Sequence, residues 1–220
     1  MCKLAVVEQT LRFPHVLDEY REAKERNVPP PLDHEQFAEI ETIEPPDWDE
    51  LIARLQAIQT GNAAAPQYEK LIEEIFSAIF YPSLCNPRKQ HEIHDGRKRI
   101  DITYTNEARS GFFAWLSQHY SSAFLFVECK NYGKEIGNPE ADQLSGRFSP
   151  SRGQVGLLVC RSVEDAGRLA LRCRDTAKDS RGFIIALTDD DVISLMESAK
   201  TGITSHTFPL LSRKFQALVD

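Results

Sequence analysis

The stretch Ala123-Phe124-Leu125-Phe126-Val127-Glu128-Cys129-Lys130 has the character of a buried β-strand that ends in two opposite charges. Side chains alternate along a strand, so Glu128 and Lys130 share one face and Cys129 points to the other. Opposite charges at the end of an apolar, buried strand are costly unless they are paired or bind something. A strand that served only the core would carry Val or Ile there, so the pattern predicts a functional site at this strand end.

A second carboxylate lies on a predicted hairpin that runs from Lys89 to Thr105 and turns at Asp95-Gly96, a favoured two-residue loop. The isoleucines on either side of Asp101 face one way along their strand, and Asp101 faces the other. If the hairpin and the buried strand are neighbours in one sheet, Asp101 converges with Glu128 and Lys130.

These three residues suit the hydrolysis of phosphodiester bonds. Asp101 and Glu128 can hold Mg²⁺, which prefers oxygen ligands and keeps several waters, and Mn²⁺ is expected to substitute. The backbone carbonyl of Cys129 can supply a further oxygen. A metal ion lowers the pKa of a bound water and stabilises charge on the phosphate. Lys130 would orient that water and offset the developing anionic charge.

The order of these residues resembles the PD-(D/E)xK, or restriction-endonuclease-like, nuclease superfamily, and most closely its Mrr-like restriction-endonuclease branch. The matching stretches are Gly96–Ile102 and Phe126–Tyr132. Two flanking features are also similar to the family: a Glu after an aromatic residue near the start of the first core helix, here Tyr68-Glu69, and a Gln on the helix that follows the Glu-x-Lys strand, here Gln143.

The resemblance implies an α/β fold with a restriction-endonuclease-like core, in which helices flank a mixed central sheet. It also implies a Mg²⁺-dependent DNA endonuclease with a role in restriction or anti-phage defence. In that enzyme Glu69 and Gln143 would support the active site. Two features depart from the family. Arg147 stands where a Tyr often follows the Gln and is expected to pair with a carboxylate, and Glu73 competes with Glu69 for the helix carboxylate role.

Charge and proline content divide the chain into a mainly helical extension over residues 1–65 and a nuclease-like domain over residues 66–220. The formal net charge is −7. Residues 1–62 contain 6 Lys and Arg against 13 Asp and Glu, whereas the remainder contains 20 of each sign. The excess negative charge therefore lies in the extension, which is a candidate docking or self-masking element.

Apolar periodicity, caps and turn residues predict the order of helices and strands. A helix over 11–26 is stopped by prolines, and a second helix, capped by Asp47, ends at Gly61-Asn62. The elements predicted after them are a helix over 67–80, the hairpin, a helix over 111–119, a strand over 122–130, a helix capped by Asn138, and then strand 154–160, helix 163–179, strand 183–187 and helix 189–199.

The basic side chains of the hairpin leave two interpretations open: an edge that contacts phosphates, or an ordinary charged hairpin. They are Arg88, Lys89, His91, His94, Arg97, Lys98 and Arg99. The two histidines resemble a metal pair, but their odd spacing puts them on opposite faces of a strand. A second acidic-x-Lys pair, Glu22-x-Lys24, falls on a predicted helix and is interpreted as a solvated face.

Composition indicates the cellular compartment that we expect for this chain. No apolar run approaches the roughly 20 residues that span a bilayer, and the N-terminus has no apolar stretch long enough for a signal peptide. Five widely spaced cysteines without a Cys-x-x-Cys argue against disulfides and a zinc site, and they fit the reducing cytoplasm.

DNA is the expected substrate. A protein partner is expected to supply specificity, and a homodimer would supply two active sites for a duplex. The alternatives are a non-catalytic interaction module with a nuclease fold and a nuclease that acts on RNA.

Overall fold

The computed structural model describes residues 46–93, 98–131, 138–201 and 207–220, together with positions 15, 16, 19 and 23. The chain divides into two compact units, Met1–Glu44 and Pro45–Asp220. Almost all of the predicted helix 11–26 lies outside the described residues, as does the predicted turn at Asp95-Gly96.

One five-stranded sheet organises the second unit, with strands in the order β1-β2-β3-β4-β5. β1 pairs with β2, and β2 with β3, in antiparallel fashion, whereas β3, β4 and β5 are parallel. Parallel neighbours need a crossover connection, and helices follow both β3 and β4. The strands are β1 Leu84–Ile93, β2 Lys98–Asn106, β3 Phe124–Lys130, β4 Val155–Cys160 and β5 Phe183–Thr188.

Helices flank this sheet, so the predicted α/β core with a mixed sheet is confirmed. Asp47 accepts a hydrogen bond from the Glu50 backbone N–H at 2.9 Å and is the N-cap that the sequence predicts. The helices are α1 Trp48–Ala57, α2 Ala65–Phe80, α3 Gly111–His119, α4 Asn138–Ser145, α5 Ala166–Lys178, α6 Asp189–Lys200 and α7 Pro209–Val219.

The compact unit begins before the boundary predicted between residues 65 and 66, because α1 packs onto the core. Leu51 and Leu55 of α1 are buried and belong to the same apolar cluster as the sheet. Arg161, which directly follows β4, donates hydrogen bonds to the carbonyls of Leu55 and Ile58 at the end of this helix. The helix predicted from Asp47 therefore belongs with the α/β domain, and the remaining extension is residues 1–44.

A C-terminal helix that the sequence analysis did not predict, α7, also completes the core. Pro209 lies in its first turn, and Leu211, Phe215 and Leu218 are buried on one face. β4 is buried along its whole length, as a parallel strand covered on both sides must be. Among the described residues, no helix is both long and apolar enough to cross a membrane.

Candidate active site

The carboxyl end of β3 brings Glu128 and Lys130 together, as the strand alternation predicts. The Lys130 Nζ lies 2.8 Å from Oε1 of Glu128 and also donates to Oε1 of Gln143 at 3.1 Å. Glu128 is 1% exposed, whereas the Lys130 side chain is 13% exposed. The ammonium group therefore lies between a buried carboxylate and an amide on α4, at the edge of solvent.

Asp101 joins this site from β2, the antiparallel neighbour of β3. The ladder between the two strands ends at the pair Ile102 and Val127. Beyond that pair, Oδ2 of Asp101 accepts a hydrogen bond from the backbone N–H of Cys129 at 2.9 Å. The carboxylate thus takes the place of the β2 backbone carbonyl that would otherwise accept this bond. This bond fixes the Asp101 carboxylate beside the residues that carry Glu128 and Lys130.

Glu69 reaches the same site from α2. Its neighbour Tyr68 is fully buried and donates a hydrogen bond to Asp189 at 2.7 Å, which fixes this turn of the helix. Burial raises the pKa of the Glu69 carboxyl; a hydrogen bond from Gln90 opposes that rise, and the Asp101 charge adds to it. Glu73 instead forms an ion pair with Lys89 at 2.9 Å. The Asp101 charge thus acts on Glu69, whereas Glu73 is paired with Lys89.

Like charges crowd this end of the sheet. Burial raises the pKa of Glu128, the Asp101 charge raises it further, and Lys130 and Arg147 oppose the rise. Oε1 of Glu128 is bound by Lys130, but its buried Oε2 has no hydrogen-bond partner among the described residues. The Arg147 guanidinium lies 3.5 Å from Oε2, beyond ordinary hydrogen-bond distance, so this oxygen could still bind a divalent cation.

The donor set fits a hard divalent ion that keeps several waters. No group of three His, Cys, Asp or Glu side chains has metal-binding geometry among the described residues. Mg²⁺ is commonly bound through one or two carboxylates plus water, so Asp101 and Glu128 with the Cys129 carbonyl are the residues that would hold such an ion. Burial raises the pKa of the Cys129 thiol well above its ordinary value, so this residue would contribute its backbone oxygen rather than a thiolate.

Gln90, a site residue that the sequence analysis missed, lies on β1 opposite Asp101. Its Nε2 donates to Oε1 of Glu69 at 2.5 Å, and its φ is 49°, in the left-handed region. The pairs Lys89 with Ile102 and His91 with Ile100 bracket Gln90 and Asp101. This register is the one that a two-residue turn at Asp95-Gly96 requires, so the predicted hairpin already contained the signal that places Gln90 here.

Some basic side chains of the hairpin favour an ordinary charged hairpin, and others remain available to contact phosphates. Lys89 is paired with Glu73, which favours an ordinary charged hairpin, whereas Arg88 and Arg99 are exposed. The side chains of His94, Arg97 and Lys98 lie outside the described residues.

Asn131, which directly follows β3, ties the site to the segment after α1. It is 2% exposed, and its Nδ2 donates to the carbonyls of Gln59 and Gly61, each at 3.0 Å. The Gly61 backbone N–H donates to the Asn131 carbonyl at 2.7 Å. These contacts hold the chain directly behind Lys130.

Asn131→Ala should lower the free energy of unfolding by about 2 kcal/mol, because a buried side chain loses its hydrogen bonds to two backbone carbonyls. Urea unfolding followed by circular dichroism measures the change. Gln59→Ala is the matched control, since it removes an exposed side chain and keeps the carbonyl that Asn131 contacts. Equal stability of Asn131→Ala and wild type would show that these bonds contribute nothing.

Comparison with known proteins identifies the fold. No protein-family model matches the chain. The restriction endonuclease FokI bound to DNA superposes with a TM-score of 0.50 at 14% identity, over 77% of this chain and 29% of that one. The MspJI restriction endonuclease in complex with an oligonucleotide gives a TM-score of 0.37 at 12% identity, over 88% of this chain and 39% of that one. The likeness to FokI confirms the predicted restriction-endonuclease-like core, and the Mrr-like branch stays a prediction.

One curated relative also matches in sequence. The 80.3 kDa protein of transposon gamma-delta from Escherichia coli K12 is 24% identical over 116 residues, which are 53% of this chain and 16% of that protein. The chain therefore corresponds to about a sixth of this relative and to less than a third of FokI.

Proposed function

We propose that this restriction-endonuclease-like domain is a metal-dependent DNA endonuclease. The observation that carries the proposal is the position of the Lys130 ammonium, held by Glu128 at 2.8 Å and Gln143 at 3.1 Å, with Asp101 fixed on the adjacent strand. Glu128 and Lys130 lie at the carboxyl end of β3, which is parallel to β4, and Asp101 lies beside them on β2. This position suits a substrate, since ligands bind α/β sheets at the carboxyl ends of parallel strands.

In this proposal Asp101, Glu128 and the Cys129 carbonyl hold Mg²⁺ or Mn²⁺. The metal supplies a water of lowered pKa and charge stabilisation at the phosphate. Lys130 has three N–H donors, of which Glu128 and Gln143 use two; the described residues leave the third to orient a water or a phosphate oxygen. Gln143 holds the ammonium in place, and Glu69 adds negative charge beside Asp101. Hydrolysis adds water across one P–O bond of the backbone, giving one phosphate and one hydroxyl end.

DNA is the proposed substrate because FokI, which has the same fold, is described bound to DNA. A role in restriction or anti-phage defence in the cytoplasm, and membership of the Mrr-like branch, rest on the motif resemblance alone. Specificity is proposed to come from a protein partner, with the acidic extension as its docking element. Because each chain has one proposed site, a homodimer would supply the two sites needed to cut both strands of a duplex.

The rival function is a non-catalytic interaction module. The observation that favours it is internal pairing: Lys130 is occupied by Glu128 and Gln143, and Asp101 by the Cys129 N–H. A site kept only for structure would not bind Mg²⁺ or Mn²⁺ through Asp101 and Glu128, so a metal titration separates the two functions.

Cleavage assays test the proposal. Supercoiled plasmid, single-stranded DNA and RNA are incubated with the protein and Mg²⁺, Mn²⁺ or EDTA. We expect metal-dependent nicking or cutting of DNA that Asp101→Ala abolishes and that Asp179→Ala, at an exposed aspartate beyond α5, leaves intact. Cleavage of RNA alone would redirect the proposal to an RNA nuclease. Cleavage by Asp101→Ala at the wild-type rate would refute the site.

A further inference from the structure

Arg147, in the turn after α4, is a buried arginine that contacts three parts of the candidate active site. It is 6% exposed. We infer that Arg147 is a positioning residue that sets the orientation of the Glu128 carboxylate for metal binding. This inference rests on the proposed function.

Two backbone carbonyls fix the plane of the Arg147 guanidinium. Its Nε donates to the carbonyl of Arg99 on β2, and its Nη1 donates to the carbonyl of Gln143 on α4 at 2.6 Å. Because the guanidinium is planar, these two bonds determine where the third nitrogen points. That nitrogen, Nη2, lies 3.5 Å from Oε2 of Glu128.

The Glu128 carboxylate is therefore held between two cations, with Lys130 on Oε1 and Arg147 beside Oε2. The 3.5 Å separation at Oε2 is longer than an ordinary hydrogen bond, and no described residue donates a hydrogen bond to that oxygen. Arg147 thus restrains the carboxylate while leaving Oε2 able to bind a metal ion.

The same side chain relates the elements that carry the rest of the site. Arg99 is two residues before Asp101, and Gln143 is the residue whose amide contacts Lys130. One guanidinium consequently sets the spacing of β2, β3 and α4 around the site. Partners of this kind, which orient metal-binding carboxylates, typically change metal affinity or activity by about 10–100-fold when they are replaced.

The test measures Mn²⁺ binding to the full-length protein, by electron paramagnetic resonance of free Mn²⁺, alongside cleavage kinetics. For Arg147→Met we expect roughly 10–100-fold weaker Mn²⁺ binding, a lower kcat and an unchanged KM for DNA. Arg152→Met is the matched control. Arg152 lies in the same turn region and donates to the Arg147 carbonyl at 3.2 Å, and among the described residues it forms no salt bridge with a site carboxylate. We expect it to bind Mn²⁺ like the wild type.

A second pair of variants keeps the test decisive if Arg147→Met fails to fold. Arg147→Lys retains the charge but lacks the planar fork, so its Mn²⁺ affinity should also fall. Arg147→Ala should regain Mn²⁺ affinity when guanidinium ion is added at millimolar concentration, which a purely structural loss would not show.

The outcomes separate this inference from the proposed function. Wild-type Mn²⁺ affinity in folded Arg147→Met and Arg147→Lys, with active wild type, overturns the role of Arg147 alone. A wild-type protein that neither binds Mn²⁺ nor cuts DNA overturns the proposed function, and the inference falls with it.

Discussion

Lys130→Met should lower kcat for DNA cleavage by about 10²–10³-fold, the usual effect of removing one charge-stabilising donor from an active site. The ammonium lies 2.8 Å from the Glu128 carboxylate and is only partly exposed, so solvent cannot replace it efficiently. Metal binding should survive, because Lys130 is not one of the proposed metal ligands. Single-turnover cleavage of a labelled duplex at saturating Mn²⁺ measures the effect.

Lys178→Met controls for the loss of a lysine as such, since Lys178 is exposed at the end of α5. Its cleavage rate should match the wild type. Unchanged cleavage by Lys130→Met, at unchanged thermal stability, would remove Lys130 from the mechanism.

Asp101→Asn should abolish cleavage and yet stabilise the metal-free protein. Loss of a metal ligand forfeits several kcal/mol of charge stabilisation, and each 1.4 kcal/mol is about tenfold, so a drop of roughly 10³-fold is expected. The asparagine oxygen can still accept the Cys129 N–H, so the backbone bond is retained. What disappears is the charge that raises the pKa values of Glu128 and Glu69.

The pH dependence of that stabilisation follows from the direction of these pKa shifts. A carboxyl whose pKa is raised in the folded state costs stability only when it is ionised, so the cost is absent at low pH and grows as the pH rises through the raised pKa. Asp101→Asn should therefore raise the free energy of unfolding near pH 7 by about 0.5–2 kcal/mol, and this gain should vanish below about pH 4.

Thermal unfolding in EDTA at both pH values checks this prediction, with Asp179→Asn as the control at an exposed aspartate. A lower melting temperature for Asp101→Asn at pH 7 would mean that Asp101 stabilises the fold, as the non-catalytic alternative requires.

Strand rules were sufficient to predict the centre of the site. Alternation along 122–130 put Glu128 and Lys130 on one face, and the hairpin turn determined which residues lie opposite Asp101. Helix-capping rules also predicted the start of α1, where Asp47 is the N-cap. These features were predictable because each depends on residues close together in the sequence.

The remaining contacts join distant segments and leave no local signal. Asn131 binds carbonyls of residues 59 and 61, and Arg147 binds the carbonyl of residue 99, so neither partner can be read from periodicity. α1 was assigned to the extension because charge and proline content placed the boundary after it. Its packing against the core places it in the α/β domain. The expectation that Arg147 pairs with a carboxylate is confirmed, and the structure identifies that carboxylate as Glu128.

The decisive measurement is a Mn²⁺ titration of the wild type and Asp101→Asn in which metal binding and DNA cleavage are followed in the same samples. If Asp101, Glu128 and Lys130 form a metal-dependent nuclease site, wild-type cleavage rises with the occupancy of a Mn²⁺ site that Asp101→Asn lacks, and the variant does not cut. Cleavage that persists in Asp101→Asn, or that occurs in EDTA without Mn²⁺, would contradict this assignment.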